Sequence, residues 1–289
     1  MIEQVPPPLS HPSRPRTPVP EGACDTHAHV FAPKEVYPYA PHRPYTPAPA
    51  TGLEAYHRML TAIGFGRAVL VHSNIYGADN RATIAALAEM AGAFRGIALI
   101  RPEIDDAALG ALAAAGMRGI RINLEFPGEM SLDDALAMAP RLAGLGWHLQ
   151  MLTGAARLAP VCERLAALPI DVVIDHMALP RREADLAGPG FGALLELLAA
   201  GNAWVKLSAP YYGRADGPDY PFATEVAQCL YAARPDRMLF GTNWPHPQAA
   251  RVPDEGDLVD WIAAVTASAA GLRQVLVDNP ARLYGFAGI

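Results

Sequence analysis

The chain has 289 residues, of which 51% are hydrophobic, and its formal net charge is −6. This length suits one barrel-sized domain or two smaller ones. The acidic balance and scattered basic residues argue against nucleic acid as a partner. Three dispersed cysteines are too few for a disulfide framework or a zinc ribbon, and no apolar stretch approaches the roughly 20 residues that cross a bilayer. We therefore expect a cytoplasmic protein with no membrane partner, either a monomer or a homo-oligomer.

The N-terminal segment from Pro6 to Pro20 is rich in proline and lacks the apolar centre of a signal peptide. We interpret residues 1–20 as an extended arm that packs on the rest of the chain or on a partner subunit. Residues 21–289 are interpreted as one folded domain.

Short β-rich runs alternate along the chain with segments rich in alanine and leucine. The predicted strands are Ala23–His29, Ala68–Ser73, Gly96–Ile100, Gly119–Asn123, His148–Leu152, Val172–Asp175, Ala203–Leu207 and Met238–Gly241. The predicted helices, with apolar residues every three to four positions, are Leu53–Ile63, Ala82–Ala91, Ala107–Ala115, Leu132–Leu145, Leu158–Leu168, Phe191–Ala200 and Ala223–Ala233. Asp105 and Ser131 are expected to cap the third and fourth helices, and a closing helix is expected from Asn279. This alternation predicts an α/β fold of the (β/α)₈ TIM-barrel type.

Polar residues of catalytic type follow several of these strands. His27 and His29 end the first strand, His176 follows the sixth, and Asn243 follows the eighth. Since residues two apart on a strand point to the same side, both early histidines face the barrel interior. The carboxyl ends of barrel strands meet at one rim, where barrel enzymes have their active sites. We therefore favour an enzyme with these four residues as its catalytic groups, against the alternative of ordinary polar residues in loops.

Arg121 ends the fourth strand and needs an anionic partner inside a barrel, because an unpaired buried charge is costly. A substrate carboxylate suits the bidentate geometry of arginine. An internal ion pair with Glu125, Asp175 or Asp25 is the alternative.

Side chains on the rim loops complete the predicted substrate contacts. The loops Phe31–Thr51 and Ser208–Phe222 are long and rich in proline and tyrosine. The candidate contacts, in addition to Arg121, are Tyr45, Asn74, Tyr76, Tyr211 and Trp244. Other chemistries find little support, because the chain has no glycine-rich phosphate loop and no Gly-x-Ser-x-Gly elbow.

Several motifs together resemble the group of 2-pyrone-4,6-dicarboxylate lactonases and galactarolactone isomerases in the amidohydrolase superfamily. They are Asp25–Phe31, Tyr37–Pro41 with Tyr45, Gly77–Asn80, Gly116–Arg121, Val173–Met177 and Gly241–Pro247. The resemblance implies a (β/α)₈ barrel that acts on lactones of small acids, and the dicarboxylate lactonase of this group works without a bound metal. It also implies that His27, His29 and His176 polarise the lactone carbonyl or contact the substrate. Tyr45 and Arg121 match substrate-binding positions of that group.

Three positions depart from the lactonase pattern. Asn243 stands where the family has an aspartate that activates water, and an amide cannot accept a proton at neutral pH. Leu179 stands where the lactonase has an arginine, and a further arginine is missing from residues 124–129. These losses favour a substrate with fewer carboxylates. The isomerase of this group shares the asparagine, which favours attack by a substrate hydroxyl over attack by water.

Four functions follow from these residues. The leading one is a hydrolase for a lactone or ester of a small organic or sugar acid, within carbohydrate or aromatic catabolism and without a cofactor. The second is a lactone isomerase on the same site. The third is a metal-dependent hydrolase or decarboxylase with a single zinc ion on His27, His29 and His176, and the fourth is a non-catalytic binding protein.

Overall fold

The apolar runs of the sequence form parallel strands, as seen in a computed structural model. The structure describes residues 3–126, 128–212, 217 and 219–287. The strands are β1 (Glu3–Gln4), β2 (Cys24–Ala28), β3 (Tyr45–Thr46), β4 (Arg67–Val71), β5 (Phe94–Ala98), β6 (Met117–Asn123), β7 (His148–Leu152), β8 (Val172–Ile174), β9 (Ala203–Ser208) and β10 (Met238–Gly241). Eight of them, β2 and β4 to β10, pair in parallel in chain order and confirm the predicted barrel.

Backbone hydrogen bonds close the barrel between its first and last strands. The amide of Asn243 donates to the carbonyl of His27 at 2.8 Å, and the amide of His29 donates to the carbonyl of Trp244 at 2.8 Å. Gly241 makes this approach feasible, because a Cβ there would lie 2.5 Å from the Cβ of His27. The closure therefore holds the histidine strand against the loop that carries Asn243.

Helices cover the outside of the barrel. They are α1 (Leu53–Ile63), α2 (Arg81–Glu89), α3 (Asp106–Ala114), α4 (Leu132–Gly144), α5 (Cys162–Ala166), α6 (Glu183–Leu186), α7 (Pro189–Ala200), α8 (Pro221–Ala233), α9 (Glu255–Thr266), α10 (Ala269–Arg273) and α11 (Asn279–Tyr284). The predicted caps are confirmed, since Asp105 accepts from the amide of Ala108 and Ser131 from that of Asp134. The fifth helix is shorter than predicted, because Pro160 has no amide hydrogen to continue a helical ladder. The helices α6, α9 and α10 were not predicted.

The barrel interior is apolar in its lower part and polar in its upper part. Cys24, Val69 and Trp204 from the lower parts of three strands pack with Tyr284 and Phe286, at the end of the C-terminal helix and just after it. Burying one large apolar side chain stabilises a fold by about 1.5–3 kcal/mol. This cluster fixes the floor above which the polar side chains of the strand ends lie.

The proline-rich N-terminal segment lies along the barrel. Strand β1 pairs in parallel with β3. Farther along, the amide of Ser13 donates to Asp254, and the amide of Thr17 donates to Asp260 at 2.8 Å. No helix in the described ranges is long and apolar enough to cross a membrane.

Candidate active site

A cavity of about 430 Å³ opens at the carboxyl ends of the strands. Seven of the predicted site residues line it: His29, Tyr45, Asn74, Arg121, His176, Tyr211 and Asn243. The barrel geometry brings these side chains together from positions more than 200 residues apart in the chain. Such a concave site with convergent polar groups is the usual setting for small-molecule chemistry.

Three predicted site residues lie outside the cavity wall. His27 is fully buried beneath it, with its ring centroid 4.5 Å from that of His176. The indole of Trp244 packs 5.2 Å from the ring of Tyr56, so this residue contributes its backbone carbonyl to barrel closure rather than a cavity surface. The hydroxyl of Tyr76 accepts at 2.9 Å from the amide of Ala32, which lies in the loop after the first barrel strand.

His29 is held in a defined tautomer. Its Nδ1 lies 2.7 Å from the carbonyl oxygen of Val71, which can only accept, so Nδ1 carries the proton. Its Nε2 is then a lone-pair acceptor. Burial and the nearby Arg121 lower the pKa of His29 to about 3, so the ring is neutral at physiological pH. His29 can therefore bind a donor on a ligand, and it cannot donate a hydrogen bond from Nε2.

The turn after β8 places His176 at the cavity. His176, Met177, Ala178 and Leu179 all have positive φ, between 52° and 60°. Four consecutive non-glycine residues in this region are strained, and such strain clusters at functional sites. The Nδ1 of His176 lies 2.8 Å from the hydroxyl of Ser208, and burial lowers the pKa of His176 to about 3. A second neutral imidazole therefore faces the cavity.

Asp175 is the centre of a buried charge cluster under the cavity floor. Its Oδ2 accepts from Nε of Arg121 at 2.9 Å and from the side-chain amide of Gln150 at 3.2 Å. Its Oδ1 lies 3.2 Å from Nδ1 of His27 and 3.7 Å from the ammonium of Lys206. Burial raises the pKa of Asp175, but the neighbouring His27, Arg121 and Lys206 lower it by more, so the pKa lies well below its usual value. Of the partners considered for Arg121, Asp175 is the one observed.

Arg121 also faces the cavity, because Asp175 engages only its Nε atom. Its two terminal nitrogens make no hydrogen bond within the described part of the chain and remain available to a ligand. Beneath it, Lys206 is fully buried and donates to the carbonyl of Thr26 and to Oε1 of Gln150, each at 2.8 Å. Burial lowers the pKa of Lys206 to about 8.

Asn243 has an unsatisfied acceptor. Its Nδ2 donates to the hydroxyls of Tyr211 and Tyr212 at 2.9 and 3.0 Å, whereas its Oδ1 is buried and has no hydrogen-bond partner among the residues that the structure describes. A buried unpaired carbonyl oxygen costs about 1–3 kcal/mol. Because Asn243 lines the cavity, a hydroxyl or water of the ligand can satisfy that oxygen.

Sequence reasoning missed other residues of this site. Arg181 lines the cavity and is exposed, and its side chain makes no ion pair with any residue in the described ranges. It follows Leu179 by two positions, so a cation is present near the place where the sequence indicated a loss. Asp175 was considered only as an ion partner. The contact of His246 with Glu255 was not predicted.

The donor atoms of His27, Asp175 and His176 lie within 4.8 Å of one another, and they form the group that could hold a metal in the described residues. The set predicted from sequence had His29 in place of Asp175. The donor types suit zinc, but the surroundings do not. Lys206 lies 3.4 Å from Nδ1 of His27, and both it and Arg121 already direct positive charge at Asp175. We derive no catalytic step through a metal.

The closed barrel and the polar cavity at its mouth define a barrel enzyme. The sequence profile of the amidohydrolase family matches residues 24–286, and the chain belongs to this family.

Curated relatives confirm the resemblance to the lactonase group. The chain is 36% identical to a 2-pyrone-4,6-dicarboxylate hydrolase of Comamonas testosteroni, over 95% of this chain and 94% of the relative. It is 34% identical to a 4-sulfomuconolactone hydrolase of Hydrogenophaga intermedia, over 92% and 90%. It is 29% identical to a D-galactarolactone isomerase of Agrobacterium fabrum, over 92% and 91%. Among solved structures, an Agrobacterium tumefaciens protein in its apo form has a TM-score of 0.87 and 28% identity, over 95% of this chain and all of that one.

Proposed function

We propose that this enzyme hydrolyses a lactone of a small organic or sugar acid. The observation that carries the proposal is the convergence of two neutral imidazoles, a partly free guanidinium and an unsatisfied amide oxygen on one cavity. Relatives named as lactone hydrolases support the same reaction class.

The hydroxyl of Ser208 donates to the carbonyl of Lys206, so His176 donates to Ser208 from Nδ1 and its Nε2 is an acceptor. The guanidinium of Arg121, whose terminal N–H groups are available in the cavity, is assigned to the carbonyl oxygen of the lactone. Negative charge develops on that oxygen during acyl transfer, and fixed donors in a buried site stabilise it strongly. His29 and Oδ1 of Asn243 are acceptors, so they orient the attacking water or a hydroxyl of the substrate. The ion pair with Asp175 holds Arg121 in place.

We assign Arg181 to an anionic group of the substrate. It is exposed at the cavity and has no internal ion partner among the described residues, whereas Arg121 lies deeper, at 6% exposure. A carboxylate bound by Arg181 places the lactone ring toward the floor. The buried Oδ1 of Asn74 also lacks a hydrogen-bond partner within the described ranges and suits a substrate hydroxyl.

A lactone panel tests this proposal. Purified protein is offered five- and six-membered lactones with and without a carboxylate, and acid release is followed with a pH indicator. We expect turnover of anionic lactones and its loss in the Arg121→Ala variant. A panel without any turnover would remove the proposal.

The second candidate is lactone isomerisation, and Asn243 favours it. The chain resembles an isomerase relative, and a site with an amide in place of a carboxylate lacks a strong base for water. In an isomerase a hydroxyl of the substrate attacks the carbonyl, so the product is a second lactone and no acid is released. Chromatography of the panel products separates this outcome from hydrolysis.

We further propose that the reaction needs no metal and takes place in the cytoplasm. The buried ammonium of Lys206 beside His27 and Asp175 supports the first statement, because like charges repel. The three free cysteines support the second. Activity that survives prolonged chelation is the expected result, and activity restored only by added zinc is the opposite one.

A further inference from the structure

We propose that Tyr211, His246 and Glu255 form a proton relay that supplies the base which Asn243 lacks. The inference deepens the proposed function, since it names the proton acceptor for acyl transfer at the same cavity. The three side chains lead from the cavity wall into the protein. Only Tyr211 of the three lines the cavity.

The chemistry of the partners fixes the direction of each hydrogen bond in the relay. Oε1 of Glu255 lies 2.9 Å from Nε2 of His246, so an ionised carboxylate places the imidazole proton on Nε2. Nδ1 of His246 then has a lone pair, and the hydroxyl of Tyr211, 3.2 Å away, donates to it. The oxygen of Tyr211 in turn accepts from Nδ2 of Asn243 at 2.9 Å. Hydrogen bonds through Tyr211 therefore connect His246, the base of the relay, to the amide of Asn243 at the cavity.

Tyr212 fixes the same amide from its other side. Its hydroxyl donates to the carbonyl of Pro247 at 2.7 Å and accepts from Nδ2 of Asn243 at 3.0 Å. Both tyrosine oxygens therefore act as acceptors toward Asn243, and its Oδ1 is left for the ligand. The two tyrosines differ in where their own protons go, because Tyr211 donates to an imidazole and Tyr212 to a peptide carbonyl.

The burial of the dyad favours a chemical role. His246 and Glu255 both have 0% exposure, and Oε2 of Glu255 has no hydrogen-bond partner among the described residues. Burying a carboxylate is costly. Glu255 is the first residue of α9, where the helix dipole stabilises a negative charge. Among the described residues, the carboxylate lies on one side of the imidazole and Tyr211 lies on the other, toward the cavity.

The relay takes up one proton during attack on the lactone and returns it during ring opening. The oxygen of water, or of a substrate hydroxyl, forms a bond to the lactone carbonyl carbon while its proton passes to the oxygen of Tyr211. The proton of Tyr211 passes at the same time to Nδ1 of His246, which becomes an imidazolium paired with Glu255. When the ring carbon–oxygen bond breaks, the proton returns along this path to the leaving oxygen. Burial raises the pKa of Tyr211 well above its usual value, so the phenol passes a proton on and is not itself the base.

His29 is the rival base, since its Nε2 faces the same cavity. Its pKa of about 3 makes it a weak proton acceptor at neutral pH. His246 has a carboxylate behind it, in the manner of the histidine in a catalytic triad. His29 has a peptide carbonyl behind its ring instead, so the geometry favours the relay as the proton acceptor.

A double substitution tests the relay. His246→Gln preserves a donor for Glu255 and an acceptor for Tyr211 but cannot take a proton. On a lactone that the wild type turns over, we expect His246→Gln to lower kcat/KM by roughly 10²–10⁴-fold. In the Asn243→Asp background the new carboxylate takes the proton directly, so His246→Gln is expected to cost less than about tenfold. An equal loss in both backgrounds would show a structural role for His246 and overturn the relay.

A second pair of variants covers the case in which His246→Gln does not fold or Asn243→Asp is inactive. Tyr211→Phe breaks the relay, whereas Tyr212→Phe removes the other acceptor for Asn243 and the hydrogen bond to Pro247 but leaves the relay intact. We expect the first to lower kcat/KM at least tenfold more than the second, and equal losses would overturn the relay. A wild type that turns over no lactone would refute the proposed function itself, which separates the two failures.

Discussion

Replacing Asp175 with asparagine is predicted to destabilise the fold strongly. Asp175 is fully buried and faces the guanidinium of Arg121 at 2.9 Å and the ammonium of Lys206 at 3.7 Å. The substitution keeps the size of the side chain and removes its charge. Two buried cations then lack a counterion.

The magnitude follows from the burial of the cluster. Breaking a buried ion pair by removing one partner costs about 3–5 kcal/mol, because the remaining charge is desolvated and unpaired. Arg121 has 6% exposure and Lys206 has none. We therefore expect the free energy of unfolding of Asp175→Asn to fall by about 3–5 kcal/mol at pH 7.

Urea unfolding at pH 7, followed by circular dichroism, measures this loss. The matched control is the double variant Asp175→Asn with Lys206→Met, which removes one cation together with the carboxylate. It is expected to be more stable than Asp175→Asn alone, since one uncompensated charge is gone. A single variant within about 0.5 kcal/mol of the wild type would refute the charge cluster as described.

Three further outcomes are expected. The fold lowers the pKa of Lys206 from 10.5 to about 8. Between these pH values the unfolded chain binds more protons than the folded one, so the free energy of unfolding rises with pH. Lys206→Met should abolish that rise, as measured by urea unfolding at pH 8 and pH 10. Arg181→Gln should raise KM for an anionic lactone roughly five- to tenfold, which corresponds to a loss of about 1 kcal/mol of binding energy, and should leave kcat nearly unchanged. Arg121→Gln should instead lower kcat. An unchanged KM of Arg181→Gln in steady-state assays would exclude Arg181 as the anion contact. Gly241→Ala should destabilise by about 1–3 kcal/mol in urea unfolding, because its Cβ would meet strand β2 at 2.5 Å, whereas Gly110→Ala meets nothing within 4 Å and should be neutral or stabilising.

The barrel could be predicted from the sequence because each strand is a short apolar run between turn residues. The bounds of the strands His148–Leu152 and Met238–Gly241 agree with the structure, and the other six barrel strands differ by one or two residues at one or both ends. Where prediction failed, local chemistry explains part of the failure. Pro160 shortens the fifth helix, since proline cannot continue a helical ladder.

The convergence of His29, His176 and Asn243 could also be predicted, since barrel topology brings strand ends to one rim. The pairing within the site could not. Three carboxylates were candidate partners for Arg121, and the choice of Asp175 depends on the register of β6, β7 and β8.

Loop residues of the site were the least accessible to sequence reasoning. Arg181 reaches the cavity because the chain follows a left-handed turn from His176 to Leu179, a conformation that no residue type there demands. Glu255 meets His246 only because α9 begins beside the cavity loop. The roles assigned to these residues remain predictions.

Labelling with ¹⁸O-water decides between opening of the lactone ring by solvent and its rearrangement. Purified protein turns over its lactone in labelled water, and mass spectrometry of the product counts the incorporated oxygen. Hydrolysis predicts one labelled oxygen in the new carboxylate. A product without label would contradict hydrolysis and identify a transfer of the acyl group within the substrate.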